Sequence, residues 1–224
     1  KVSASVSLQE VVSWSGREGW AGLEAFSGIP GTLGGAVVGN AGAWGVQMEH
    51  VVFEVRGVDS GGTTHLLSNA ECGFRYRDSL LKDGELWISE VLLQLRPGDA
   101  ADLTRERERI LEVRAAKHPD WRKEPCIGSF FKNLEPSSAA QRRQAAGFFL
   151  EQAGAKSCQI GGAGVYPGHA NILIKKTPDC RADDVAALAR TLQQAVNDRF
   201  GLELQREVRY LGILKGEESG EGFY

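Results

Sequence analysis

Residues 22–45, GLEAFSGIPGTLGGAVVGNAGAWG, decide how this sequence folds. Glycine returns every few residues along the segment, and Pro30 interrupts the run. Because glycine has no Cβ atom, its backbone adopts positive φ angles easily and approaches a ligand closely. A glycine-rich turn that leads into a helix with free amides also suits phosphate groups. The composition fits a ligand-binding loop and a long structural loop equally well.

The spacing of these glycines argues against two common nucleotide-binding classes. The segment contains neither G-x-x-x-x-G-K-[ST] nor G-x-G-x-x-G. The first motif cradles phosphates in P-loop nucleotidases, and the second marks the dinucleotide site of Rossmann folds. A P-loop enzyme and a simple Rossmann enzyme are therefore both disfavoured.

The overall composition is that of a globular protein with one large domain or two small ones. The chain has 224 residues, a formal net charge of −3 and 42% hydrophobic residues. A protein with this net negative charge does not attract nucleic acid or an anionic membrane through its overall charge. No apolar run approaches the roughly 20 residues that span a bilayer, and no signal peptide is expected. We therefore expect no nucleic-acid partner and no membrane partner.

Cysteine and histidine show no metal-binding pattern. The four cysteines lie far apart, and the four histidines lack the H-x-x-x-H spacing. A structural zinc site needs closely paired ligands, so no metal is expected. Unpaired cysteines of this kind favour a reduced, cytoplasmic protein.

Hydrophobic periodicity predicts an α+β fold. In the first half, a capping box at Ser7–Glu10 predicts a helix that runs to about Gly16. Strands are expected at 50–58, 63–67 and 85–95, and a charged helix at 101–117. In the second half we expect a loop at 119–136, helices at about 138–153 and 181–199, and strands at about 160–175 and 203–214. The domains expected are 1–98 and 99–214, followed by a flexible tail at 215–224.

Three further stretches carry groups suited to chemistry. Arg75 and Arg77 flank a tyrosine in FRYRDS, where they suit a carboxylate or phosphate, or else form a surface ion pair with Asp78. Ser129 lies in GSFFKN, where two phenylalanines exclude water, although most loop serines are not catalytic. His169 opens a strand, a place where a lone histidine is more often a structural hydrogen-bonding group.

Alternation along ELQREVRYLG sorts its side chains onto two faces. Leu204, Arg206, Val208 and Tyr210 fall on one face. Glu203, Gln205, Glu207 and Arg209 fall on the other. Glu207 and Arg209 thus share a face, either as a solvated ion pair or as part of a site.

Five segments in order resemble the UDP-N-acetylenolpyruvoylglucosamine reductase (MurB) family of peptidoglycan synthesis. They are GLEAFSGIPGTLGGAVVGNAGAWG, ECGFRYRDSLLK, GSFFKN, IGGAGVYPGHANILI and EVRYLG, and together they span residues 22–212. Only 98 − 77 = 21 residues separate Arg77 from Gly98, which resembles the shorter, second type of the family. The resemblance implies that residues 1–98 are the second part of a bipartite FAD-binding domain whose first part is missing from this sequence. It also implies that 99–214 form the substrate domain.

The resemblance also implies a reaction and three catalytic residues. NADPH reduces bound FAD, a hydride passes from flavin N5 to C3 of the enolpyruvyl group, and C2 then receives a proton. The proton donor is implied to be Ser129, while Arg77 and Glu207 stabilise the intermediate. Because a bare carboxylate beside an enolate would repel it, we expect Glu207 to be protonated or to act by positioning. The product is UDP-N-acetylmuramate.

Substrate and cofactor contacts follow from the same resemblance. The substrate, a UDP-sugar, is implied to meet Lys117, Asn133, His169, Tyr76 and Trp44, where Lys117 lies 129 − 117 = 12 residues before Ser129. The FAD contacts implied are Ser27, Gly28, Ile29, Pro30, Gly31, Thr32, Gly34, Gly35, Asn40, Ala41 and Gly42. Trp44, Leu134 and Arg206 depart from the family pattern, which has tyrosine, proline and proline at these places.

Two alternatives remain beside this interpretation. One is another flavin oxidoreductase of the same FAD-binding superfamily, and the other is a non-catalytic remnant that has lost FAD. If the natural chain is this short, retention of FAD is in doubt. A monomer in the bacterial cytoplasm is expected.

Overall fold

The computed structural model describes residues 1–135 and 143–210, and the chain forms two compact units. The first comprises residues 1–114, and the second begins at Ala115. Each unit combines helices with antiparallel strands, in keeping with the α+β class predicted from the sequence. The units divide inside a helix, whereas the domain boundary at 98/99 stays a prediction. The predicted tail lies outside the described residues.

The first unit is built from eight strands and three helices, of which the last continues into the second unit. They are β1 (Val2–Ser3), α1 (Leu8–Arg17), β2 (Trp20–Ala21), α2 (Leu33–Val38), β3 (Gly42–Ala43), β4 (Val46–Gln47), β5 (Val52–Asp59), β6 (Thr64–Ser68), β7 (Leu86–Leu93), β8 (Arg96–Pro97) and α3 (Ala100–Lys117). Four of the strands form an antiparallel sheet in the order β1-β7-β5-β6. The predicted hairpin and the predicted helices α1 and α3 are thereby confirmed to within two residues.

Helix α1 packs its apolar face into the core of this unit. Leu8, Val11 and Val12 are buried, together with Val55 and Val91 of the sheet. Ser7 is the N-cap residue, but its hydroxyl makes no capping hydrogen bond, so the predicted capping box is wrong. The backbone explains the difference, because the Leu8 amide donates to the Gly31 carbonyl at 3.0 Å. The start of α1 is thus held by the glycine-rich segment.

The second unit has its own sheet and core. Its elements are β9 (Cys126–Ser129), α4 (Ala146–Gln152), β10 (Gln159–Ile160), β11 (Ala163–Val165), β12 (Ile172–Lys175) and α5 (Ala182–Phe200). The antiparallel sheet has the order β10-β11-β12-β9. Helix α5 buries Leu188, Leu192 and Val196, and ends as predicted at Gly201, which has a positive φ of 64°.

Four predicted elements of this unit differ from the structure. The loop expected at 119–136 contains the strand β9. The strand expected at 160–175 is three short strands, because a tight turn occurs at Gly161–Gly162 and another turn follows β11. A Cβ on Gly162 would lie 2.5 Å from the Cα of Cys180, so this turn depends on glycine. The helix expected from 138 begins at Ala146 in the described residues. Of the strand expected at 203–214, residues 203–210 form a single bridge, between Arg206 and Phe131, and residues 211–214 lie outside the described residues.

Two adjacent glycines in α2 should respond oppositely to alanine. A Cβ on Gly34 would lie 2.9 Å from the Ala4 Cβ and 3.1 Å from the Ala4 carbonyl oxygen. A Cβ on Gly35 would have its nearest neighbour, Thr32 Oγ1, at 3.5 Å. Alanine favours a helix by up to about 1 kcal/mol over glycine, but overpacking costs about 1–3 kcal/mol. Gly34→Ala should therefore lower the free energy of unfolding, while Gly35→Ala should leave it equal or raise it.

Urea unfolding of both variants without ligand measures these changes in stability. Equal stability of the two variants would contradict the close packing of Gly34 against Ala4.

Candidate active site

The glycine-rich segment divides into an exposed rim and a buried support. Among the predicted FAD contacts, the exposed residues are Gly28, Pro30, Gly31, Thr32 and Gly35, which we call the glycine rim. Ser27, Gly34 and Asn40 are buried, and Ile29, Ala41 and Gly42 are partly buried. Gly28 and Gly31 have positive φ angles of 78° and 110°, and a Cβ on Gly31 would meet no atom within 4 Å. The rim therefore offers open backbone to a ligand.

Gln9 fixes the shape of this rim from α1. Its Nε2 donates to the carbonyls of Phe26 and Ile29 at 2.9 and 2.8 Å, and its Oε1 accepts from the Gly28 amide at 2.7 Å. All three bonds cross to a turn about 20 residues away in sequence. Gln9 was not predicted from the sequence, because a single polar residue on a helix carries no periodic signal.

Asn40 connects the rim to the segment that carries the arginines. It is fully buried and has a φ of 41°. Its Nδ2 donates to the Arg75 carbonyl at 2.9 Å, and its Oδ1 accepts from the Glu49 amide at 3.0 Å. Ser79 donates from its hydroxyl to the Val38 carbonyl at 2.6 Å, close to the end of α2. The Asn40 amide is thus a structural bridge.

The two arginines of FRYRDS have different surroundings. Arg75 pairs with Asp78, with Nη2 and Oδ2 at 2.9 Å, on an exposed surface. Burial alone would raise the pKa of Asp78, but the Arg75 hydrogen bond and the charges of Lys82 and Arg75 outweigh it and lower that pKa. The predicted surface ion pair with Asp78 is therefore present at Arg75.

Arg77 is held by the backbone of the glycine-rich segment. Its Nη2 donates to the Gly42 carbonyl at 2.6 Å, and its guanidinium lies 5.1 Å from the Tyr76 ring centroid. A Cβ on Gly42 would lie 3.0 Å from Arg77 Nη1 and 2.7 Å from Gln47 Cγ. Arg77 itself has a positive φ of 55°, which is costly for a residue with a side chain. Such a strained arginine is consistent with a functional position.

Trp44 occupies the turn between β3 and β4. Trp44 and Gly45 have φ angles of 54° and 80°, the pattern of a type I′ hairpin turn. The indole is about half exposed, and the Arg109 guanidinium lies 5.9 Å from its ring centroid. Trp44 is thus available for stacking at the edge of this segment.

In the second unit, the backbone of Ser129 is held in place by its partner strand and by the residues that follow it. It is the last residue of β9 and pairs with Ile172 of β12. Phe130 and Phe131 follow, both fully buried in the core, so the aromatic pair anchors the motif. The Ser129 hydroxyl has no hydrogen-bond partner among residues 1–135 and 143–210. A partly buried hydroxyl on a fixed backbone is suited to a reacting group.

Glu207 lies on the segment beside this motif. Its backbone amide donates to the Phe130 carbonyl at 2.9 Å, and the Lys132 amide donates to the Gln205 carbonyl at 2.8 Å. The predicted alternation is present here, because Leu204 is buried while Glu203, Gln205 and Arg209 are exposed. Arg77 belongs to the first unit. The structure thus places two of the three predicted catalytic residues, Ser129 and Glu207, on adjoining segments of one unit.

Asn171 holds the backbone that follows Ser129. Its Oδ1 accepts from the Phe131 amide at 2.9 Å, and its Nδ2 donates to the Phe131 carbonyl at 2.8 Å. Its carbonyl also accepts from the Phe130 amide at 2.8 Å. Asn171 is 2% exposed, so these bonds are shielded from water. The sequence analysis missed this residue, although it lies in the motif GHANILI.

His169 is held as a neutral imidazole beside Asn171. Its Nδ1 accepts from the Asn171 amide at 3.2 Å, and its ring centroid lies 5.6 Å from that of His118. Burial lowers the pKa of His169, and the charges of Lys156 and Lys117 lower it further, against a smaller opposing effect of hydrogen bonding. The proton of the neutral ring therefore lies on Nε2, which remains a hydrogen-bond donor.

Two further predicted contacts lie near the ends of helices. Asn133 is exposed, and its Oδ1 accepts from the amide of Ala146, the first residue of α4, at 3.2 Å. Lys117 is exposed at the last residue of α3. No group of three His, Cys, Asp or Glu residues in the described part of the chain could hold a metal ion. None of the described helices is long and apolar enough to cross a membrane.

Comparison with known proteins identifies the family of this chain. Residues 119–211 match the model of the UDP-N-acetylenolpyruvoylglucosamine reductase C-terminal domain, and residues 1–68 match that of an FAD binding domain. The reductase of Solibacter usitatus is 37% identical over 223 residues, covering 93% of this chain and 70% of that protein. The chain belongs to the UDP-N-acetylenolpyruvoylglucosamine reductase family.

Other relatives of the reductase family agree. The reductase of Nostoc punctiforme is 36% identical and is matched over 96% of this chain and 62% of its own length. The crystal structure of the reductase (MurB) from Thermus caldophilus superposes with a TM-score of 0.77 at 29% identity, over 92% of this chain and 70% of that one. The chain thus spans about 60–70% of the length of these relatives. The family, the α+β fold and the class of FAD-dependent oxidoreductase predicted from the sequence are confirmed.

The lowered pKa of His169 should make stability depend on pH. The unfolded chain binds a proton near pH 6.5, whereas folded His169 binds it only at lower pH. The unfolded state therefore holds more protons in this window, and the free energy of unfolding should fall as pH drops below about 6.5. Urea unfolding of the parent and of His169→Asn across this range measures the effect. The variant should show a shallower slope, and identical slopes would contradict the assignment.

Proposed function

We propose that this chain carries out the NADPH-dependent, FAD-mediated reduction of UDP-N-acetylglucosamine enolpyruvate to UDP-N-acetylmuramate, a step of peptidoglycan biosynthesis. The observation that supports it most is the hydroxyl of Ser129, which has no hydrogen-bond partner among the described residues and directly precedes Phe130, whose carbonyl accepts from the Glu207 amide. The proposal includes a monomeric state and a cytoplasmic location in a bacterium.

The glycine rim and its supports would hold the cofactor in this reaction. Its exposed glycines leave backbone open to a nucleotide, and Gln9 keeps the turn in shape. Bound FAD, once reduced by NADPH, would supply the hydride that is added at C3 of the enolpyruvyl group. All other steps follow from residues of the chain itself.

Ser129 would deliver the proton that completes the reduction. Addition at C3 leaves a carbanion at C2, whose charge spreads onto the neighbouring carboxylate as an enolate. The O–H bond of Ser129 breaks as a C–H bond forms at C2, and the resulting alkoxide recovers a proton from solvent. The buried phenylalanines fix the backbone that follows Ser129, which limits the positions that the hydroxyl can take.

Arg77 and Glu207 would act on the charge of the intermediate. A guanidinium is permanently charged, and its planar fork matches a carboxylate, so Arg77 suits the enolate. The bond from Arg77 to Gly42 keeps that fork in place before substrate arrives. The backbone of Glu207 is fixed to Phe130, so its carboxyl can orient or protonate a group at the position of Ser129.

The remaining predicted contacts would bind the UDP-sugar. Lys117 would meet a phosphate as a point charge, and Asn133 would donate to the same diphosphate. Neutral His169 would donate from Nε2, since its Nδ1 is occupied by the Asn171 amide. Tyr76 and Trp44 offer aromatic faces to the nucleotide or the sugar.

The alternative left open by the sequence is a non-catalytic member of the family. NADPH oxidation that depends on the enolpyruvyl substrate, measured with and without added FAD, separates the two candidates. Turnover under either condition supports the reductase, and none under both supports the non-catalytic form.

Ser129→Ala should separate the two half-reactions. Reduction of bound flavin by NADPH does not need this hydroxyl and should stay close to the parent rate. The enolpyruvyl half-reaction should slow by about 10²–10⁴-fold, the usual contribution of a positioned proton donor. Stopped-flow absorbance of the flavin measures both steps. Ser157→Ala, which removes an exposed hydroxyl of the same unit, is the control. Survival of both half-reactions in Ser129→Ala would contradict the proton-donor role.

Glu207→Gln tests how the carboxyl acts. If Glu207 exchanges a proton with the reacting group, the variant should lose one limb of the pH–rate profile as well as rate. If it acts by positioning alone, the amide should keep the shape of that profile. A profile of kcat against pH for the parent and the variant distinguishes these cases. Parental rate with a parental profile would contradict both roles.

A further inference from the structure

The packed face of α3 carries two arginines among its apolar residues. Arg107 and Arg114 are seven residues apart, which places them two turns apart on the same face. Ile110 of that face is 2% exposed, and Leu111 is partly buried. The Nε atoms of both arginines are buried and have no hydrogen-bond partner among the described residues. This face therefore includes donors that the described protein leaves unsatisfied.

Arg114 lies directly against the glycine rim. A Cβ on Gly28 would be 2.8 Å from Arg114 Cδ and 3.2 Å from Leu111 Cδ2, so the close approach of α3 depends on glycine here. Gly28 is exposed and its amide points back to Gln9. The guanidinium of Arg114 thus lies at the border of the open backbone described above.

Within residues 1–135 and 143–210, no neighbouring carboxylate balances the charge of Arg114. It has no ion pair in the described residues, while Glu106 pairs with Arg109 and Asp102 pairs with Arg105 on the same helix. The pKa of Arg114 is lowered by burial and by the positive charge of Arg77. Two guanidinium groups therefore repel each other in a partly desolvated place. A buried cation without a partner destabilises a protein, so an entering anion would relieve this cost.

We propose that Arg114 is a binding residue for an oxyanion, a phosphate or a carboxylate, that enters beside Gly28. The planar fork of the guanidinium donates two parallel hydrogen bonds to such a group, and the buried Nε is free to make one of them. The anion belongs either to the phosphates of a flavin nucleotide or to the carboxylate of the enolpyruvyl substrate. Arg114 binds the ligand and takes no part in proton or hydride transfer.

Binding measurements on the folded protein test this site without catalysis. The probes are inorganic pyrophosphate, FAD, riboflavin, the UDP-N-acetylglucosamine enolpyruvate substrate and UDP-N-acetylglucosamine. Riboflavin lacks the phosphates of FAD, and UDP-N-acetylglucosamine lacks the carboxylate of the substrate. Affinities come from calorimetric titration, and the melting temperature of each ligand-free protein from circular dichroism. NADPH is omitted, so a failure of the proposed reduction does not affect the outcome.

The variants are Arg114→Met, Arg114→Lys and the control Arg105→Met. Arg105 is exposed on the same helix and pairs with Asp102. Arg114→Met should keep or raise the melting temperature without ligand, because the unpaired charge is gone. It should weaken binding of one class of anion at least about tenfold. Arg114→Lys should fall between this variant and the parent, and Arg105→Met should match the parent.

The pattern of losses identifies the source of the anion. A loss for FAD and pyrophosphate, with riboflavin unchanged, assigns the site to the flavin phosphates. A loss for the enolpyruvyl substrate, with UDP-N-acetylglucosamine unchanged, assigns it to the carboxylate. The proposal is wrong if Arg114→Met and Arg114→Lys bind every probe with the parental affinity. It is also wrong if the parent binds none of the anionic probes. If Arg114→Met does not fold, Arg114→Lys decides the matter by the same comparison.

Discussion

One buried amide group, the side chain of Asn171, determines the geometry of the second unit. It satisfies both backbone polar groups of Phe131, and its own carbonyl satisfies the amide of Phe130. Buried backbone groups are costly when unpaired, so these three bonds leave few alternatives for the chain. The Ser129 hydroxyl and the Glu207 backbone both take their positions from this segment. A polar contact that touches no substrate thereby defines where chemistry can occur.

In the first unit, too, side-chain amides form hydrogen bonds with irregular backbone. Asn40 joins the glycine-rich segment to the arginine segment, and Gln9 joins that segment to α1. Irregular backbone cannot satisfy its own hydrogen bonds as a helix does, so side-chain amides satisfy them instead. The glycine-rich segment is therefore both open to a ligand and firmly supported from behind. The buried residues of the segment serve as structural support, and ligand binding by its exposed residues stays a prediction.

Regular elements were predictable from the sequence, and the amide contacts were not. Helix α5 and the hairpin of β5 and β6 follow from periodicity and turn residues, which act locally. The strand expected at 160–175 failed because Gly162 lies against Cys180, a contact 18 residues away that no local pattern reveals. The candidate site came from motifs of the family. The roles of Gln9 and Asn171 could not be predicted, because a single amide residue gives the same sequence pattern whether its side chain is solvated or buried.

The three hydrogen bonds of Gln9 also restrict the motion of the glycine rim, although the rim is exposed. Gly28 is exposed, yet its amide proton is held by a side chain that is part of α1. Hydrogen exchange at that amide therefore requires the Gln9 side chain to swing away or α1 to open locally. The rim is in this sense accessible to a ligand but not independently flexible. A ligand that binds it meets a preformed surface and loses little conformational entropy there.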